Sequence, residues 1–177
     1  GAVIQGIVLQ DANVSLSSGS YVGVGALVGR VSGATEIRDC GVSGSVSTSS
    51  SSALYVGGLV GYVYAKTTVD GCYGAASVTG GSYSSGKVGG LIGYTYSAAD
   101  VSNCYVTGEV TSKGAAAGAL GYFSTSSSNK VTLTNCYAAC DVGGSASYRY
   151  PFVYIYSNYL TATNCLYESG RESNKDN

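Results

Sequence analysis

The chain has 177 residues, enough for one sizeable domain with a continuous core, and only 11% are charged, leaving a formal net charge of −1. With no basic cluster there is no source for the counterion-driven attraction that holds proteins to nucleic acid. No apolar run approaches the length of a membrane span, so neither nucleic-acid binding nor membrane insertion is expected. The 27 Gly, 17 Tyr and single Pro, without amphipathic runs of Leu, Glu and Lys, argue against helices and for short strands and turns.

The chain opens abruptly on Gly1-Ala2-Val3-Ile4, already strand-like and with no visible signal peptide. A fragment of a longer protein is therefore expected, with targeting segments and neighbouring domains of the same chain elsewhere. Val14 lies 32 residues before Val46, so residues 1–20 read as a partial first coil.

Residues 21–142 are a repeat. Val24-Gly25-Ala26-Leu27-Val28-Gly29, Val56-Gly57-Gly58-Leu59-Val60-Gly61 and Val88-Gly89-Gly90-Leu91-Ile92-Gly93 align, with Gly29, Gly61 and Gly93 each 32 apart. Ala116-Ala117-Gly118-Ala119-Leu120-Gly121 is a fourth copy. A second block follows each, ending in Cys40, Cys72, Cys104 and Cys136, again 32 apart, with Cys165 following after 29. Six residues beyond the first four cysteines come Val46, Val78, Val110 and Val142. Length varies only at Ser- or Tyr-rich connectors: 47–55 and 81–87 at one site, and 62–67, 94–99 and 122–130 at the other. Variable connectors between fixed segments behave like coil corners.

Each repeat holds two or three short strand-prone segments. Stacked coils bring equivalent residues to roughly 4.8 Å, the spacing of neighbouring strands, and share a core that one repeat cannot bury alone. The expected fold is an all-β parallel β-helix (β-solenoid) of about five coils, right-handed by the crossover rule. Its inward columns are Leu27/Leu59/Leu91, Ile37/Val69/Val101/Leu133 and Val14/Val46/Val78/Val110/Val142. The paired glycines mark bends or close backbone approach.

At 144–167 the pattern changes. Phe152-Val153-Tyr154-Ile155-Tyr156-Ser157 replaces the glycine block and Tyr148, Tyr150 and Tyr159 flank it, which reads as an aromatic C-terminal cap, or alternatively an aromatic binding patch. Residues 1–167 thus form a single solenoid domain, and the polar stretch 168–177 is expected to be a disordered tail.

The block Val56-Gly57-Gly58-Leu59-Val60-Gly61-Tyr62, with Asp70-Gly71-Cys72-Tyr73 and Val78-Thr79-Gly80, resembles the GLUG repeat. So does Val88-Gly89-Gly90-Leu91-Ile92-Gly93-Tyr94 with Val101-Ser102-Asn103-Cys104-Tyr105-Val106-Thr107-Gly108. The resemblance covers roughly 21–142. It implies an extracellular β-helix of large secreted or cell-surface bacterial proteins, including adhesins and regions adjoining IgA-cleaving peptidases, with adhesion or spacing as the role. It supplies no catalytic residues to carry over.

For chemistry the chain offers little. It has no His, and Asp39, Asp70 and Asp100 stand at different offsets from their cysteines, so no carboxylate pair or column is expected. Neither cofactor nor metal is expected, and the chain reads as no enzyme; a polysaccharide-degrading β-helix enzyme is the weaker alternative. The column Cys40, Cys72, Cys104, Cys136 and Cys165 reads as structural and reduced, because parallel side chains leave neighbouring Cβ atoms slightly too far apart for a disulfide. Cys140 reads as another small core position. Gly29, Gly61, Gly93 and Gly121 are structural as well.

Tyrosines are the candidates for binding. Tyr73, Tyr105 and Tyr137 follow the cysteines, and Tyr62, Tyr94 and Tyr122 follow the glycines. Each set forms either a self-stacking ladder or a flat aromatic strip for host glycan or protein. Alternation along a strand turns Tyr73, Tyr105 and Tyr137 outward if the cysteines point in. The Ser-rich corners read as solvated loops or O-glycosylation sites. Two functions remain open, an adhesion module and a structural stalk without a ligand of its own.

Overall fold

The computed structural model describes residues 1–18, 22–52, 54–124, 126, 128–145, 148–154 and 159–171, Val22 without its side chain. A partial coil supplies β1 (Ala2–Gln5) and β2 (Val8–Leu16). The first full coil is β3 (Val22–Gly25), β4 (Val28–Val31), β5 (Thr35–Arg38) and β6 (Gly41–Thr48). The second is β7 (Leu54–Gly57), β8 (Val60–Val63), β9 (Thr67–Asp70) and β10 (Tyr73–Thr79). The third is β11 (Lys87–Gly89), β12 (Ile92–Thr95), β13 (Ala99–Ser102) and β14 (Tyr105–Thr111). The fourth is β15 (Ala115–Ala117), β16 (Leu120–Phe123), β17 (Val131–Thr134) and β18 (Tyr137–Gly143). β19 (Tyr148–Tyr150), β20 (Leu160–Thr163) and β21 (Leu166–Tyr167) complete the chain, and no helix occurs among the described residues.

Each of the four full coils adds one parallel strand to each of four sheets. Sheet A stacks β1, β5, β9, β13, β17 and β20; sheet B stacks β2, β6, β10, β14, β18 and β21. Sheet C stacks β3, β7, β11, β15 and β19; sheet D stacks β4, β8, β12 and β16. The fold is the expected all-β parallel solenoid of about five turns. The coil has four strands rather than two or three, because the glycine block is two strands joined by a sharp bend at Gly58-Leu59 and its equivalents. The second connector is correspondingly short, since Tyr62-Val63, Tyr94-Thr95 and Tyr122-Phe123 belong to sheet D.

The expected columns line the core. Ile37, Val69, Val101 and Leu133 are buried, as are Val46, Val78, Val110 and Val142, and Leu59 and Leu91. Leu27 and Val14 are only partly buried, lying in coils with less cover on the N-terminal side. Each fully buried Val or Leu contributes about 1.5–3 kcal/mol, so these columns hold the stack together.

Glycine serves the bend directly. A methyl on Gly57 would overlap the Val60 carbonyl oxygen and approach the Gly93 nitrogen, so sheets C and D close backbone to backbone. The A–B turn has a different requirement. Gly6, Asp39, Gly71, Asn103, Asn135 and Asn164 occupy equivalent turn positions and all have φ between 51° and 69°. Only Gly, Asp and Asn stand there, the residues that adopt this left-handed backbone at least cost.

In every copy but the first, where Ile7 stands, the next residue is a cysteine. All six cysteines are free, and Cys40, Cys72, Cys104, Cys136 and Cys140 are buried. In the column each thiol donates to the carbonyl two residues earlier, as from Cys40 to Arg38 at 3.1 Å and from Cys104 to Ser102 at 3.0 Å. A small apolar side chain with one weak donor suits this turn. Shared thiol–thiol hydrogen bonds push Cys104 up and pull Cys72 and Cys136 down, and burial pushes Cys140 up to about 12.

The C-terminal region adds strands of a further coil. β19, β20 and β21 extend sheets C, A and B, while sheet D is continued only by a bridge from Leu120 to Val153. Phe152, Val153 and Tyr154 are buried over the last core layer. Arg149 stands in the column of Val24, Val56, Val88 and Ala116 and donates to the Gly144 carbonyl at 2.7 Å. Residues 155–158, part of the expected cap, lie outside the described residues. The expected disordered tail needs correction at 168–171. The Glu168 amide donates to the Ala138 carbonyl at 2.9 Å, and Arg171 pairs with Asp141 at 2.9 Å and with Glu168 at 2.8 Å. Residues 172–177 lie outside the described residues.

Candidate functional site

Two tyrosine arrays lie on the solenoid exterior. The first stands where sheet B begins, with Tyr73, Tyr105 and Tyr137 in register on β10, β14 and β18. They face away from the buried cysteines before them, as alternation requires. Tyr73 and Tyr105 stack with centroids 5.2 Å apart and planes 7° from parallel, and Tyr105 is 46% exposed. Tyr73 folds back over Gly41, where any side chain would strike its ring. Tyr137 is differently engaged: its hydroxyl donates to Glu168 Oε1 at 2.5 Å, which raises the Tyr137 pKa and lowers that of Glu168.

The second array is a seam above the C–D bend. Sheet D aligns Arg30, Tyr62, Tyr94 and Tyr122 across β4, β8, β12 and β16. Sheet C aligns Gly23, Tyr55, Lys87, Ala115 and Tyr148 across β3, β7, β11, β15 and β19. Because glycines let the two sheets close, their side chains interlock. Tyr55 lies 4.9 Å from Tyr62 and 4.5 Å from Tyr94 between centroids. The contacts continue through Tyr94–Tyr122 at 5.6 Å and Tyr122–Tyr154 at 5.1 Å to Tyr148 and Tyr150. Tyr62, Tyr94 and Tyr122 are therefore half-buried members of a packed seam; burial pushes the Tyr94 hydroxyl up to about 12 and raises Tyr62.

The open rim of the seam is Tyr64 and Tyr96, which stack at 5.4 Å with planes only 8° apart and are 44% and 46% exposed. Sequence reasoning placed both in a variable connector. Their 32-residue spacing and the alternation Tyr62-Val63-Tyr64 and Tyr94-Thr95-Tyr96 were the available signals. Two cations complete the seam: the Arg30 guanidinium lies 4.6 Å from the Tyr64 centroid and 5.4 Å from that of Tyr62. The Lys87 ammonium lies 4.7 Å from the Tyr122 centroid and 5.9 Å from that of Tyr154, with burial lowering its pKa.

The carboxylates are dispersed. Asp70 faces Arg38 and Ser102 across the ladder, Asp100 faces Thr68 and Thr132, and Asp39 stands in the turn column. Among the described residues no three His, Cys, Asp or Glu side chains are grouped to hold a metal. An enclosed apolar cavity of about 10 Å³ beside Ala119 and Leu91 is too small for a ligand.

This architecture defines a parallel β-solenoid repeat protein with an aromatic exterior seam. Residues 20–47 and 84–111 match the GLUG motif, so the chain carries that repeat in at least two of its coils. By fold it is similar to the crystal structure of "a putative immunoglobulin A1 protease from Bacteroides ovatus", with a TM-score of 0.62 and 19% identity. The likeness covers 92% of this chain but 57% of that one. No curated protein matches the chain by sequence.

Proposed function

We propose that this chain is an extracellular adhesion module of a larger bacterial protein, binding host or matrix glycan or protein through one face of the solenoid. The observation that carries this reading is the pair of parallel ring stacks held in water, Tyr64–Tyr96 and Tyr73–Tyr105. Such a stack contributes about 0.5–1.5 kcal/mol beyond its area burial, less than a single core residue of the columns. Stability alone gives little reason to keep these rings exposed, whereas exposed aromatic groups suit contacts with sugars and protein side chains. The GLUG repeats and the name of the similar structure, which places that protein among enzymes acting on a host immunoglobulin, support an extracellular setting. No catalytic step is assigned to this chain.

A second reading, a stalk, is favoured by the long parallel ladders of sheets A and B, six strands each. Screening the chain against immobilised glycans and mucins separates the two. Saturable binding that disappears in Tyr64→Ala/Tyr96→Ala or in Tyr73→Ala/Tyr105→Ala, with unchanged melting, supports adhesion and locates its face. Absence of binding at every accessible concentration supports the stalk.

A further inference from the structure

The net charge of −1 conceals a segregation. All eight acidic residues among the described ones lie on sheets A and B, their shared turn, or the segment after β21: Asp11, Glu36, Asp39, Asp70, Asp100, Glu109, Asp141 and Glu168. Only Arg38 and Arg171 accompany them, and each is already paired with a carboxylate. Sheets C and D hold Arg30, Lys87 and Arg149, and the corners they share with sheets A and B hold Lys66, Lys113 and Lys130, with no acid among the described residues of either. Like-signed groups gathered on one side raise the local concentration of oppositely charged partners well beyond what net charge predicts.

We infer that the C–D seam binds an acidic glycan, one carrying carboxylate or sulfate groups, laid along the solenoid axis. This rests on the adhesion reading and specifies its face and ligand class. Tyr64 and Tyr96 stack on each other one coil apart, with Arg30 over the Tyr64 ring, and their exposed ring edges give a sugar chain an apolar border to lie against. Arg30 lies over Tyr64, and Lys87 stands two coils further on, about 10 Å along the axis, with its ammonium over Tyr122. Among the described residues neither cation meets a carboxylate. The Tyr62 and Tyr64 rings pack against the Arg30 guanidinium, whose N–H groups can donate to an anionic oxygen. A neutral glycan would use the rings and leave both cations without an anion. A polyanion lacking sugar rings would use the cations and leave the tyrosines in water.

The test is binding of the 177-residue chain to immobilised sialylated mucin, the same mucin after sialidase, hyaluronan, chondroitin sulfate, dextran and polyglutamate. Acidic glycans should bind, more weakly as salt rises. Affinity should fall about tenfold or more in Arg30→Gln/Lys87→Gln and in Tyr64→Ala/Tyr96→Ala. It should persist in Tyr105→Ala, all variants melting like the parent. The acidic member that binds best separates sialic or uronic carboxylate from sulfate. Equal binding of dextran and desialylated mucin, unchanged in the Gln variant, overturns the acidic ligand and leaves the adhesion reading standing. Polyglutamate binding as strong as glycan binding, insensitive to Tyr64→Ala/Tyr96→Ala, overturns the glycan site. Binding to nothing overturns both readings.

Discussion

The side-chain amide of Asn135 donates to Oδ1 of Asn103 one coil away, at 3.1 Å, while both backbones stand in the left-handed region at φ 54° and 53°. Asn164 donates to Asn135 at 3.3 Å, and Asn103 donates to Asp70 at 2.8 Å, so an amide ladder runs up the A–B turn. Replacing Asn135 with Ala removes two of these bonds and places a Cβ-bearing residue without local support in that backbone. A loss of about 2 kcal/mol is expected. Asn135→Gly should recover the backbone part, as Gly71 does naturally in the same column. Urea unfolding of the two variants measures the difference.

Asp70 accepts from Ser102 Oγ at 2.6 Å and from Asn103 Nδ2 at 2.8 Å, and these bonds hold its carboxyl below the usual range. A carboxyl depressed in the folded state stabilises above its unfolded pKa, and that stabilisation is lost as pH falls through the folded one. Asp70→Asn should therefore melt slightly below the parent at neutral pH, the gap closing as pH drops beneath the ordinary carboxylate range. The effect should be small, because the group is open to solvent. A gap that widens in acid would contradict the assignment.

Thr95 is buried in a column with Val31, Val63 and Phe123, and its hydroxyl has no hydrogen-bond partner among the described residues. A buried polar group left unpaired costs about 1–3 kcal/mol. Thr95→Val keeps the shape and removes the orphan oxygen, so it should raise the thermal midpoint by an amount corresponding to about 1 kcal/mol or more.

Thiol reactivity should divide the six cysteines. Cys165 is half-exposed at the last coil, whereas the other five are buried. Titration of the native chain with an aromatic disulfide reagent should show one rapid thiol, abolished in Cys165→Ser, and release the rest only on unfolding. Several rapid thiols in the native chain would mean that the column is open.

Much of this fold can be read from spacing. The 32-residue intervals of Cys40, Cys72, Cys104 and Cys136, and of Val46, Val78 and Val110, identify columns before any strand is assigned. In a stacked coil equal spacing puts equivalent residues in equivalent places whatever path the coil takes between them. The Gly-Gly pairs likewise mark close approach, although not how many strands they separate.

The exterior was less legible, for a physical reason. Tyr55 and Tyr62 are seven residues apart in the chain, and their rings meet only because the strands reverse at Gly58-Leu59. Arg30 and Lys87 sit on one acid-free side because corner angles decide which columns become neighbours, and composition averages that segregation to near neutrality. Periodicity along the chain thus specifies the core columns, whereas the aromatic seam, the sidedness of charge and the left-handed turn ladder arise from contacts between columns, which depend on how sharply each coil bends.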